Sequence, residues 1–89
     1  AMASPRPSPF RDRTTLDFSL AEPAHVTVAV FDVAGRRVRT LVDADRDANR
    51  YRITWDGRND HGSRLGSGVY FVRYQAGPAE IVRRVVRLD

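Results

Sequence analysis

Cysteine is absent from this chain, and so is lysine. Without cysteine there is neither a disulfide framework nor a thiolate metal site, so the fold must rest on a packed core. Without lysine all 15 basic residues are arginine, which matches the codon usage of a GC-rich genome. An internal Lys–Asn isopeptide crosslink is excluded for the same reason. No apolar run approaches the ~20 residues a helical membrane span needs, and no stretch has a convincing helical period. No signal peptide is read in the opening residues. The three residues Ala1-Met2-Ala3 are expected to be a cloning remnant ahead of an excised domain.

The net charge of +4 raises the question of nucleic acid. The arginines are scattered, however, and no aromatic-and-glycine run of the RNA-binding kind accompanies them, so no nucleic-acid partner is expected. Eighty-nine residues, 42% hydrophobic and 29% charged, specify one ordered domain rather than a disordered chain. A chain of this size buries roughly 60–65% of its unfolded surface, which is one core and no enclosed active-site cavity.

Residues 1–12 alternate Pro5, Pro7 and Pro9 with polar residues and read as a linker. Phe10 is the exception, an aromatic placed to anchor the first strand. The domain is expected over residues 13–89. A period of two predicts strands over 14–20 (Leu16, Phe18 and Leu20 inward), 25–31 (Val26, Val28 and Val30 inward), 36–42, 50–55 (Tyr51, Ile53 and Trp55 inward), 69–76 and 80–88. Asp32-Val33-Ala34-Gly35 closes a hairpin in which Gly35 supplies a positive φ. The polar stretch from Asp43 to Asn49 reads as a loop crossing to a second sheet. The inward set, completed by Val38, Tyr70 and Val72, predicts an all-β sandwich of about seven short antiparallel strands.

These residues carry a family resemblance. Pro7-Ser8-Pro9-Phe10 before an alternating strand, then Val26 to Val30 with Phe31-Asp32, Gly35-Arg36 and Val38, are followed by Trp55-Asp56-Gly57, Asp60-His61-Gly62 and Ser67 to Phe71. In that order they resemble the immunoglobulin-like domain of the flagellar hook-capping protein (FlgD-type) and the C-terminal sorting domains of type IX secretion substrates. The resemblance spans about residues 7–89. It implies an immunoglobulin-like β-sandwich without cofactor: a non-catalytic C-terminal accessory module of a larger secreted or cell-surface bacterial protein. Such a module acts in sorting, anchoring or domain docking. Its partners would be the upstream domain of the parent protein and a secretion or cell-envelope component. A carbohydrate-binding module and a flagellar hook-capping assembly domain are the alternatives.

Few residues invite chemistry. Asp56, Asn59 and Asp60 offer oxygens to calcium, but the alternate-position spacing and closing glutamate of a calcium loop are missing, and the same residues build turns. Trp55 is either a plug at the end of the core, its indole N–H on a loop carbonyl, or a platform for a sugar ring. Gly57 follows it in the turn. Tyr70 is expected to point inward with its hydroxyl on a backbone group. His25 and His61 are isolated, and no serine lies in a nucleophile-elbow pattern, so no enzyme is expected. Arg83, Arg84 and Arg87 form the densest basic cluster, either a solvated strand face or a docking patch for an acidic partner.

Overall fold

A computed structural model describes residues 2–89; Ala1, the first residue of the expected cloning remnant, lies outside them. Six strands form: β1 (Thr14–Leu20), β2 (Ala24–Phe31), β3 (Arg37–Arg46), β4 (Asn49–Trp55), β5 (Gly68–Ala76) and β6 (Ala79–Arg87). They make two antiparallel sheets, one of β1-β4 and one in the order β3-β2-β5-β6. The alternation of Thr14-Thr15-Leu16-Asp17-Phe18 dictates β1 and the alternation of Tyr51, Ile53 and Trp55 dictates β4, and these strands pair in a register that stacks Phe18 on Tyr51 with ring centroids 5.0 Å apart.

The two sheets face each other through Leu16, Phe18 and Trp55 on one side and Val28, Val30, Val72, Tyr74 and Val85 on the other. Aromatic contacts cross the layers: Phe18 meets Tyr74 at 5.3 Å, and Trp55 meets the edge of Tyr70 at 5.5 Å. Tyr51, Ile53, Leu20 and Val38, all expected in the core, lie half-buried at its margins.

Three expectations change. The described strands number six rather than seven. The polar stretch after Val42 is not a loop at its start. Asp43 to Arg46 continue β3, because Asp43 and Asp45 alternate with the half-buried Ala44 and pair with Thr27 and His25 of β2. Only Asp47-Ala48 then connects β3 to β4.

The proline-rich arm, expected as a linker, lies on the sandwich. Ala3 donates to the Asp17 carbonyl at 3.0 Å, and Arg6 and Thr15 exchange backbone bonds at 2.9 and 2.8 Å. Further along, Phe10 donates to Val86 at 2.9 Å and accepts from Leu88 at 2.8 Å, so the arm runs from the open edge of β1 to that of β6. Met2 and Phe10 enter the core at 1% and 2% exposure. The physical reason is that a bare strand edge presents unpaired N–H and C=O groups, and an extended proline-rich segment can satisfy them from outside.

Candidate functional site

Trp55 at the end of β4 and the turn that follows it carry the candidate ligand residues singled out in the sequence. Trp55 is wholly buried (0% exposed) and packs on Phe10 at 5.3 Å, while its indole N–H donates to the Arg58 carbonyl at 3.0 Å. Being buried, it offers no platform to a sugar ring, which removes the stacking contact on which the carbohydrate alternative relied.

The three oxygen donors downstream are engaged by the fold. Asp56 Oδ1 accepts from the Arg58 amide at 3.1 Å, and Asn59 Oδ1 accepts from the His61 and Ser63 amides, both at 3.0 Å. Asp60 Oδ1 takes the Thr40 amide of β3 at 2.9 Å, and the Asp60 amide donates to Val38 at 3.0 Å. Arg39 reaches across the same seam to the Arg58 and Asn59 carbonyls at 3.4 and 3.2 Å, with Asp56 at 3.7 Å. These oxygens build the turn and clip it onto the outer edge of β3.

Gly57 is needed for two reasons. Its φ of +75° is a left-handed conformation, and a Cβ there would fall 2.5 Å from Arg87 Nε. Arg87 belonged to the expected exposed basic cluster, yet it is 1% exposed. β6 alternates, so Ile81, Arg83, Val85 and Arg87 share the inward side and Val82, Arg84 and Val86 the outward one. Arg83 turns its Nε to the Met2 carbonyl of the arm at 3.3 Å, and Arg87 Nη1 meets Asp89 at 3.1 Å while its buried Nε has no hydrogen-bond partner. The cluster therefore divides across two faces, and of its three members only Arg84 is exposed.

Tyr70 does what its position suggested: its hydroxyl donates to the Gly66 carbonyl at 2.8 Å, and burial pushes its phenol above the usual tyrosine range. Asp32 accepts from the Ala34 and Arg36 amides, each at 3.0 Å, and is clasped by the Arg36 guanidinium. Those backbone donors hold its carboxyl below the ordinary value. Gly35 closes that hairpin at φ +82°.

Two groupings were not anticipated. On the outward side at the start of β2, His25 Nδ1 lies 2.8 Å from Asp45 and its Nε2 lies 2.7 Å from Asp43. The hydrogen bond to Asp45, then that to Asp43, raises the imidazole above its usual value. The sequence signal is Asp43-x-Asp45 lying 18 and 20 residues after His25, legible only once the β2–β3 register is known.

The second grouping covers the outward face of the four-stranded sheet. The registers Phe31↔Arg37, Phe31↔Phe71 and Phe71↔Arg84 place Arg37, Phe31, Phe71 and Arg84 in one row across all four strands. In the adjoining row Ala29 pairs with Arg73, which pairs with Val82, and the Arg73 guanidinium lies 4.6 Å above the Phe31 ring. Beyond the aromatic row, Val69 pairs with Val86. Val33 in the adjacent turn and Val82 are 75% and 49% exposed.

Residues 9–79 match the family model described as FlgD Ig-like domain. No curated protein matches the chain. Among solved structures it is similar to PorZ, an essential bacterial surface component of the type-IX secretion system of Porphyromonas gingivalis from the human oral microbiome. That match has a TM-score of 0.66 and 22% identity, and it covers 96% of this chain and 11% of PorZ. The likeness is one of fold, and the chain spans about a tenth of the protein it matches.

Proposed function

Since this chain belongs to the FlgD Ig-like domain family, we propose that it is a non-catalytic accessory module of a larger secreted or cell-surface bacterial protein, working by docking, in sorting or anchoring. The observation that carries this reading is the fate of the candidate chemical groups. Trp55, Asp56, Asn59 and Asp60 are spent on packing and turn construction, while a sheet face with aromatic and arginine side chains remains half-exposed. A small sandwich with its polar loop groups satisfied internally has its surface left to act with.

The likeness to a domain within PorZ supports a cell-surface setting and a type IX secretion context. With the edges of β1, β3 and β6 engaged by the arm and the turn, the outward antiparallel face is the surface suited to docking on another protein. Fusing the module to a periplasmic reporter in a type IX host tests the reading. The reporter is expected outside the cell, and retention of the fusion in the periplasm overturns a sorting role.

A further inference from the structure

The docking reading leaves open which surface docks and on what, and the inference that follows rests on it. The outward row Arg37–Phe31–Phe71–Arg84 sets a guanidinium at each end of an aromatic pair. Seven of the arginines are neutralised at home: Arg6 and Arg52 by Asp17, Arg36 by Asp32, Arg39 by Asp56 and Asp60, Arg58 by Asp56, Arg64 by Asp12 and Arg87 by Asp89. Among the described residues, Arg37, Arg73 and Arg84 have no carboxylate within ion-pair distance, and all three project from this one face. Arg73 instead covers a ring of the aromatic pair.

We infer that this face binds an extended acidic segment of a partner protein, laid across the strands, with the pattern acid–x–apolar–x–acid. The geometry sets the spacing. Four adjacent strands about 4.8 Å apart put the backbones of Arg37 and Arg84 about 14 Å from each other. An extended chain advances about 3.3 Å per residue, so side chains four residues apart on one face lie about 13 Å apart. The two outer acids thus meet Arg37 and Arg84, and the apolar residue between them lands over the Phe31–Phe71 pair. Guanidinium forks suit carboxylates in paired hydrogen bonds, and Arg73 adds a third donor beside the apolar centre. A sugar ring is a poorer occupant, because the Phe31 face it would stack upon is already taken by Arg73.

The probe is a capped peptide containing glutamate–threonine–leucine–threonine–glutamate, titrated into the isotope-labelled domain. Amide shifts are expected to concentrate at Phe31, Arg37, Phe71, Arg73 and Arg84. The double variant Arg37→Glu/Arg84→Glu should weaken binding at least tenfold, with an unchanged melting transition showing that the fold is intact. Replacing both glutamates by glutamine should have the same effect, and replacing the leucine by threonine should weaken binding several-fold.

No shift at millimolar peptide, or shifts elsewhere on the domain, overturns the inference. So does heparin or polyphosphate binding this face where the peptide does not, which would assign it to polyanions in general. The export assay separates the two proposals. A double variant that still delivers its reporter overturns this face and leaves the docking reading standing. A native fusion that stays in the periplasm while the peptide still binds here supports the face and removes only the sorting role.

Discussion

The two sides of the β2–β5 ladder are built from the same backbone and do opposite things. On the inner side Val26, Val28, Val30 and Val72 are shut away from water completely. One residue along, on the outer side, Phe31, Phe71 and Arg73 stay half-exposed with a guanidinium resting on a ring. Successive side chains of a strand point to opposite faces, so a single sheet can keep stability and recognition in separate residues. Substitutions on one side should therefore spare the other.

The largest effect expected is that of Trp55→Ala, which empties the end of the core against Phe10 and Tyr70. A loss of about 3–5 kcal/mol is expected in chemical denaturation, a large share of the stability of a domain this size. Gly57→Ala tests the one place, among the described residues, where the inner side holds a buried cation. Left-handed strain alone costs about 1–3 kcal/mol, and the new methyl would also strike Arg87 Nε, so refolding with Arg87 expelled to solvent should be visible as a new guanidinium environment by NMR.

The comparison itself is sharpened by a matched pair. Val72→Ala on the inner side should cost about 1.5–3 kcal/mol, whereas Val82→Ala on the outer side should stay within about 0.5 kcal/mol. Equal losses at the two positions would mean that the outer face is packed against something and is not a free surface.

The smallest effect concerns pH. The carboxylates of Asp45 and Asp43 raise the His25 imidazole above its usual value of about 6.5, so the charged ring is favoured by folding. The sign follows: this contribution is complete below about pH 6.5 and fades as pH rises through the folded value. The melting temperature should drop gently over that window, and His25→Gln should flatten the trend. Titration of the ring by NMR should give a midpoint above 6.5.

Much of the architecture could be read from residue order. β1 runs over the residues the alternation predicted, Thr14–Leu20, and the glycine-marked hairpin at Gly35 closes where expected. Tyr70 and Trp55 found the backbone partners their side chains required. What escaped was set by contacts distant in sequence. Arginine at position 87 reads as solvent-facing on hydropathy, and only its phase with Ile81 and Val85, together with a side-chain-free Gly57 opposite, makes room for it inside. The tail of β3 looked like a loop because its acids face outward and find their partner, His25, on another strand. The outer aromatic row is invisible in one dimension, since its four members come from four different strands.

One consequence lies in how the two terminal segments meet. Around Phe10 and Arg87 the chain's first and last stretches run parallel and are joined by bonds from Phe10 to Val86 and from Leu88 to Phe10. Opposing pulls on the two ends would load that clasp lengthwise, straining both bonds together instead of unzipping them singly.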